Sequence, residues 1–598
     1  MAIDKPKKMQ PLSTPREKVM GLAEALDELI VLRLRLERKE SEAGFGLVWE
    51  DIQENVEGLL VAEVPVLASV STLDVKGGKP YEAPHVLIEG DNLHALHTLQ
   101  ATNRDTVDVI YIDPPYNTGK EFIYNDKLVD AESTFRHSAW LSFMSKRLRL
   151  AHSLLAPSGL IFISIDDNEQ ANLKLLCDEV FGVLNFVTCA PTIMNLKGNQ
   201  DQFAFAGTHE YTLVYAKDKT QSIVGQFEVD EEAMLDEWET DEYGWWKRGA
   251  GLKATGVNAP RSKRPNLWYP LYVAKDSTYV SPVRQKSTDV EIWPKTSGNE
   301  MSWRWSSTTA DERSYDLIAV GTYPNFTIYK KQRPGLGDLP SKKPKSTLYK
   351  PEYSTTNGTN TLKKILGDRS FPNPKPVDLI KDLVSLCALR DDAVVLDFFA
   401  GSGTTLQAVA ELNAEDGKHR RCILVTNNEN NICREVTQPR IAAILSGKWA
   451  DGKHEALPGS LAFYKTDFIV RRKNLDRMRS DIARHTVDLV AIKEGAQRKG
   501  LTGTDFTMLT GPAKSIAVVT SLYPDHAAVH EAATSAARAD DAKSAYLFTW
   551  SDQGIEAELV EQWEGWNVQP LPAEMLAALR RLAPTQSLFD EASTGEEG

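Results

Sequence analysis

The chain has 598 residues, of which 42% are apolar and 25% charged, the balance of a folded globular protein and not of a disordered one. At roughly 100–200 residues per domain, three or four domains are expected. No run approaches the ~20 consecutive apolar residues of a bilayer span, so no membrane insertion is expected. Five scattered cysteines form no C-x-x-C pair, which argues against a disulfide scaffold or a zinc site. The segment Met1-Ala2-Ile3-Asp4-Lys5 has no apolar core behind it, so a secretory signal is not expected and a cytoplasmic location is.

The net charge of -14 misleads as an average. Residues 244–364 hold 21 basic and 9 acidic side chains, a surplus of about +12, so the remainder carries about -26. A basic module inside an acidic chain localises the attraction for a polyanion.

In chain order, residues 16–40 predict a helix, with Val19, Leu22, Leu26, Leu29 and Ile30 at three- and four-residue spacing. From about Pro84 short apolar runs alternate with helical patterns. Val86 to Asp91 predicts a strand ending in a turn, and Val107 to Ile112 a second strand that stops at Asp113-Pro114-Pro115. A helix follows over Trp140 to Leu155, a turn at Pro157-Ser158-Gly159 and a strand over Leu160 to Ile165. The texture then breaks. Residues 191–370 are rich in Pro, Gly, Trp and Lys/Arg, and seven of the 13 tryptophans lie between Trp238 and Trp305, expected to build mostly a small core of their own. The α/β texture resumes with a helix from Val377 to Leu389, a strand from Ala393 to Asp397, a helix from Thr404 and a strand from Cys422 to Thr426. A charged helical connector over Val470 to Gly500 leads to a smaller α/β unit with strands at Ser515–Leu522 and Ser544–Trp550.

The fold class expected is α/β, a doubly wound, mostly parallel sheet with a large insertion and a small C-terminal α/β domain. The divisions are 1–80, an N-terminal helical region; 81–190 and 371–465, the two halves of the main domain; 191–370, the insertion; and 466–598, the connector and C-terminal domain.

Two motifs carry chemistry. Asp113-Pro114-Pro115-Tyr116 ends a strand, where ligands bind in open α/β sheets. Each proline biases the residue before it toward extended backbone, giving a stiff loop with a carboxylate, a carbonyl and an aromatic face. Such acceptors suit the two N–H groups of an exocyclic amine like that of adenine. In a dry pocket, acceptors aimed in this way are worth more than in water. A ring beside them can stack on an extruded base. The second motif, Leu396-Asp397-Phe398-Phe399-Ala400-Gly401-Ser402-Gly403-Thr404-Thr405, is a strand, a Gly-rich turn and a helix start. Glu429 follows the next strand, suited to ribose hydroxyls. No G-x-x-x-x-G-K-[ST] occurs, so no P-loop motor is encoded here.

Together these residues resemble the β-type amino-methyltransferases of DNA, in which D-P-P-Y precedes F-x-G-x-G with a target-recognition domain between them. The resemblance sharpens to the modification subunits of Type III restriction–modification systems. It rests on Phe45 to Glu50, Ile88 to Leu93, Asp113 to Gly119, Ile163 to Glu169, His209-Glu210-Tyr211, Thr255 to Arg261 and Asn373 to Val377, and covers most of residues 45–440. It implies a Rossmann-like S-adenosylmethionine-dependent fold and methylation of adenine N6 in double-stranded DNA. It also implies a homodimer, a separate ATP-dependent restriction subunit and no metal. N4-cytosine methylation and a non-catalytic specificity subunit are the alternatives; Asp at 113 tilts toward adenine.

By the same resemblance Asp113 and the Pro114 carbonyl hold the amine, with Pro115 stiffening the loop and Tyr116 stacking on the base. Phe399, Gly401 and Gly403 form the cofactor loop, with Asp397 and Thr404 near the methionine part and Glu429 on the ribose. Asp91 lies near the cofactor's adenine or caps a helix, and Lys375 meets the methionine carboxylate or is solvated. For the insertion, Lys247, Arg248, Arg261, Lys263, Arg264, Arg304, Lys342, Lys343 and Lys345 are the expected contacts to DNA phosphates. No spacing names the residues that read bases.

Overall fold

The computed structural model describes residues 49, 63–77, 83–118, 136–198, 204–228, 238–333, 341–367, 371–470, 475–503, 505–521, 524–547, 555 and 557–570. The helix expected over residues 16–40, residues 45–50 apart from Trp49, Gly119 and the ends of the strands expected to reach Leu522 and Trp550 lie outside them.

The main sheet is built from β1 (Glu63–Ser69), β2 (His85–Glu89), β3 (Val107–Ile112), β4 (Leu155–Ile165), β5 (Phe186–Ile193), β6 (His209–Ala216), β7 (Val394–Asp397), β8 (Arg421–Thr426) and β9 (Leu461–Val470). The helices between them are α1 (Asn92–Asn103), α2 (Arg136–Leu154), α3 (Gln170–Phe181), α4 (Val377–Ser385), α5 (Thr404–Asp416) and α6 (Gln438–Ser446), and α7 (Leu475–Glu494) follows. Among the described residues the strand order is β1-β9-β2-β8-β7-β3-β4-β6-β5. The six from β9 to β4 run parallel, while β1 pairs antiparallel at one edge and the β6–β5 hairpin at the other.

The strands read as unbroken apolar runs because both faces are covered. Val86, Ile88, Ile110, Ile112, Ile423 and Val425 join one cluster with α1, α2 and α3. Leu87, Val109, Tyr111 and Leu424 alternate with them and are just as buried, so their side chains cover the opposite face. Asp108 is the polar exception in β3; its carboxylate accepts the Val394 N–H at 2.8 Å and so ties β3 to the start of β7. The turn expected at Pro157-Ser158-Gly159 lies inside β4. There Val107 faces Leu155 and Val109 faces Leu160, so the extra residues are taken up as a bulge.

Contact clustering divides the chain into two units, one of residues 1–222, 347–384 and 390–598 and the other of residues 223–346 and 385–389. Four expected boundaries move. Residues 63–69 are a strand of the main sheet, not part of a helical region, because β1 pairs with β9 along its whole length. The insertion begins near 223 and not at 191, because β5 and β6 satisfy their backbone groups on β4. It ends near 346 and not at 370, because the helix Thr355–Leu366 packs with α6. The main domain runs to Val470 and not to 465, since β9 continues that far beside β1.

The second unit has a four-stranded sheet with Asn325–Gln332 and Gly244–Gly251 at its centre, and a small core of Leu252, Leu271, Val273, Trp303, Phe326 and Ile328. Of the seven tryptophans expected to be mostly core, Trp303 and Trp238 are buried and only Trp303 belongs to this cluster, with Trp305 packed against it; Trp245, Trp246, Trp268, Trp293 and Trp305 are half-buried, since the strands and turns of this small unit leave one side of each ring to solvent or to a neighbouring cation. In the C-terminal part of the first unit, strands Lys514–Val519 and Ala542–Leu547 pair in parallel around helix His526–Ala536, and Val487 and Val490 of α7 pack beneath them. Among the described residues no helix is long and apolar enough to cross a membrane.

Candidate active site

β3 and β7 lie side by side in parallel, with Val395 opposite Val109 and Leu396 opposite Ile110. That pairing brings Asp113-Pro114-Pro115-Tyr116 and Asp397 to Thr405, far apart in sequence, to the carboxyl edge of one sheet. Most of both segments lines one open cleft of about 890 Å³, whose walls include Asp113, Pro114, Pro115, Asn373, Lys375, Asp397, Phe399, Gly401, Thr404 and Thr405; Tyr116 is not among the wall residues and packs against the core beside them.

The first loop is fastened from below. Trp140, fully buried in α2, donates its indole N–H to the Pro115 carbonyl at 2.7 Å. Asn117 takes a positive φ of 53° and donates to the buried Glu169 carboxylate at 2.5 Å, which His137 and Asn172 also approach. Above these anchors the Tyr116 hydroxyl lies 2.8 Å from Asp113 Oδ1 and 3.2 Å from Glu210 Oε2. Lys375 Nζ donates to Tyr116 Oη at 2.7 Å and to Glu210 Oε1 at 2.5 Å, and stands 3.3 Å from Asp113 Oδ1. Its ammonium is also 5.1 Å from the Tyr116 ring centre.

Burial sets the charges. It raises the Glu210 carboxyl above the ordinary glutamate range, although Lys375 pulls it down. Burial would lower the Lys375 ammonium, but Asp113 and Glu210 outweigh it and hold the group above the usual lysine value. Burial, with the Asp113 and Glu210 charges, pushes the Tyr116 phenol well above its normal range, so it stays a neutral hydroxyl.

The second loop is held differently. Asp397 Oδ1 accepts the Phe399 N–H at 3.0 Å and Oδ2 the Thr405 hydroxyl at 2.5 Å, closing the turn on itself. Burial pushes the Asp397 carboxyl up to about 7 despite these two bonds. Asn92 donates to the Phe398 carbonyl at 2.9 Å and accepts from the buried Arg147 at 2.5 Å, which links the start of α1 to this loop. Behind the loop, Arg440 of α6 is wholly buried. It donates to Ser402 Oγ at 2.9 Å, Thr404 Oγ1 at 2.8 Å and Gln407 Oε1 at 2.8 Å, and burial lowers it to about 10. A guanidinium bonded to neutral acceptors at the start of α5 adds its charge to the positive end of that helix.

Several expected residues sit elsewhere. Asp91 caps α1, accepting the Leu93 N–H at 2.7 Å, and does not line the cleft. Glu429 is likewise outside the lining, which stops at Thr426 and Asn427 before resuming at Ile432. Gly401 lines the cleft at a φ of +48°, but Gly403 does not: at φ +80° a Cβ there would meet Thr437 Cγ2 at 3.2 Å, so its absence serves helix packing. Lys375, expected toward the methionine part, is bound beside Asp113. Glu210, Trp140 and Arg440 were not singled out. Only Glu210 carried a signal, in His209-Glu210-Tyr211.

In the second unit the expected phosphate contacts are mixed. Arg261 is bonded to Glu300 at 2.9 Å and lies over Trp268, Lys247 lies over Trp238, and Arg248 over Tyr329. Arg304 reaches Thr255 only at 3.5 Å, and it, Lys263, Arg264, Lys343 and Lys345 are exposed. The side chain of Lys342 lies outside the described residues. Among the described residues no group of three potential metal ligands occurs.

Residues 107–438 match a family described as DNA methylase. The chain is 46% identical over 375 residues to the Type III restriction-modification enzyme EcoPI Mod subunit of Escherichia phage P1, which covers 58% of each protein. It is 37% identical over 344 residues to the Type II methyltransferase M.KpnI of Klebsiella pneumoniae, covering 57% of this chain and 79% of that one. To the StyLTI Mod subunit of Salmonella typhimurium it is 36% identical over 379 residues, 57% of this chain and 52% of that one. The chain thus spans little more than half the length of the two Type III relatives.

Proposed function

Because the chain belongs to the DNA methylase family, we propose that it transfers a methyl group from S-adenosylmethionine to the N6 amine of adenine in double-stranded DNA. The similarity to two Mod subunits extends the proposal to a Type III modification subunit, acting as a homodimer beside a separate ATP-dependent restriction subunit. The observation that carries the reading is the single cleft shared by the Asp113 loop and the Asp397–Thr405 loop.

The residues fit the cofactor. Gly401 gives backbone access where a side chain would crowd Phe371, and Phe399 and Phe371 offer apolar faces. Thr404 opens α5, and with Arg440 behind it this end of the cleft suits a carboxylate. Asn373, Thr426 and Asn427 are the polar groups left to meet hydroxyls and amines, a task this reading assigns to Asn427 in place of Glu429. When bound, S-adenosylmethionine supplies a methyl on a positively charged sulfur.

The chain's own residues do the remainder. The Asp113 carboxylate and the Pro114 carbonyl accept the two amine hydrogens, which favours a pyramidal nitrogen with its lone pair free to attack. The Tyr116 ring stacks on the extruded base, worth about 1–3 kcal/mol. Trp140 and Glu169 keep the loop from yielding when the base enters. Transfer would exchange the donor's S–C bond for the new N–C bond, and the proton then given up by the amine would pass toward an Asp113 oxygen.

Incubation of the protein with methyl-labelled S-adenosylmethionine and duplex DNA, followed by digestion to nucleosides, tests this. N6-methyl-2′-deoxyadenosine is the expected product. N4-methyl-2′-deoxycytidine would overturn the base assignment, and cofactor binding without transfer would favour a non-catalytic specificity subunit.

A further inference from the structure

Lys375 stands between two carboxylates and divides itself unequally. It makes a charge-assisted bond to Glu210 at 2.5 Å, whereas Asp113 Oδ1 is 3.3 Å away, beyond the 2.7–2.9 Å typical of such bonds. Glu210 comes from the start of β6. Tyr211 faces Ile165 across the sheet, so Glu210 lies just past the carboxyl end of β4, one strand from the Asp113 loop. We propose that Glu210 is a positioning residue that keeps the Lys375 ammonium off Asp113, leaving the Asp113 carboxylate open to the substrate amine. This rests on the reading that Asp113 accepts the amine hydrogens.

The argument is one of competition. An ammonium with side-chain exposure of 11% cannot stay unpaired at low cost. Among the described residues Asp113 and Glu210 are the carboxylates within ion-pair distance of it. Remove the Glu210 charge and the ammonium closes on Asp113, filling the lone pairs that should receive the amine and drawing off the charge that polarises it. Remove Lys375 instead, and the Asp113 and Glu210 carboxylates face each other across the Tyr116 hydroxyl with no cation between them. The three groups therefore work as a set, in which Glu210 decides where the positive charge rests.

Glu210→Gln keeps the shape and removes the charge. The expected result is a kcat lower by about 100-fold, the scale of losing a properly disposed proton acceptor. Cofactor affinity should stay within about twofold, since Arg440 and the Gly401 turn are untouched. Glu210→Asp should recover part of the loss. Adding Lys375→Met to Glu210→Gln should raise kcat by about tenfold over the single variant, a coupling that independent structural losses do not produce. A crystal structure of ligand-free Glu210→Gln gives a readout that needs no turnover: Lys375 Nζ should lie closer to Asp113 than 3.3 Å. A separation that is unchanged or longer, or a double variant no faster than the single one, would overturn the proposal. Wild-type protein that transfers no methyl would sink the functional reading instead, while the distance in the variant still decides where Lys375 goes.

Discussion

The unit that holds the cleft and the unit formed by residues 223–346 and 385–389 use their charges differently. In the first, the charged groups at the cleft are interlocked: Asp397 has two partners, Arg440 has several, and Lys375 is shared between Glu210, Tyr116 and Asp113. In the second, Lys331, Arg333 and Arg313 pair with Asp241 and Asp316, but most of the cations expected to meet DNA sit on the faces of rings or stand exposed, as Arg248 on Tyr329 and Lys263 beside Arg264 illustrate. A transferred methyl needs atoms held to within fractions of an ångström, so a cleft of interlocked bonds suits it. A polyanion needs positive charge spread over a surface, and no single contact need be exact. Substitutions should therefore cut deep in the first unit and shallow in the second.

Asp113→Ala is the severest test of that contrast. Tyr116 and Lys375 keep Glu210 as a partner, so the loop should hold while transfer falls by about 1,000-fold or more, with cofactor affinity nearly unchanged. Equilibrium binding of S-adenosylmethionine beside the transfer assay checks it; loss of both together would make Asp113 a structural residue. Gly403→Val comes next, and its effect should be on stability. A β-branched residue at φ +80°, pressed on Thr437, costs about 1–3 kcal/mol of backbone strain, readable by urea unfolding. Weakened cofactor binding at unchanged stability would return Gly403 to the cleft. Asp397 supplies a gentler, pH-dependent effect. Its folded value of about 7 lies above the unfolded one, so the stability it contributes is complete in acid and is lost as pH rises through about 7. Wild-type unfolding free energy should thus fall more steeply over about pH 5–8 than that of Asp397→Asn, and parallel curves would show that Asp397 is already ionised.

The parts of this molecule legible in its sequence were those whose physics is local. β3 reads at its true limits because a parallel strand buried on both faces is a continuous apolar run closed by Pro114 and Pro115. The same holds for the turn from Asp397 to Thr405, where glycines and a helix start lie together. What could not be read is pairing across the sheet. Nothing in the sequence of residues 186–216 says that β5 and β6 return as a hairpin onto β4, so composition alone starts the insertion too early and leaves Glu210 remote from Asp113. Arg440 was invisible for a related reason: an arginine after Pro439 reads as a solvated charge until α6 packs it behind Ser402. Gly403 misled in the other direction, because a glycine required by a helix neighbour and one required by a ligand look alike in a sequence.

The smallest expected effect lies in the second unit and is where the contrast can be sharpened. Arg261, Lys263 and Arg264 are nearly adjacent, yet they are not equivalent. Arg261 spends its guanidinium on Glu300 at 2.9 Å and on the Trp268 face, so a phosphate would have to displace a partner already in place. Lys263 and Arg264 are exposed, with no ion pair recorded for either among the described residues. If this turn meets the DNA backbone, each of the two releases close to one counterion on binding, and Lys263→Ala with Arg264→Ala should lower the log–log salt slope of DNA affinity by about 2. Arg261→Ala should lower it by less. Methyl transfer at saturating DNA should change little in either case, since neither variant touches the cleft. An unaltered slope in the double variant would remove this turn from the DNA surface, and a collapse of transfer at saturating DNA would break the division of labour between the two units.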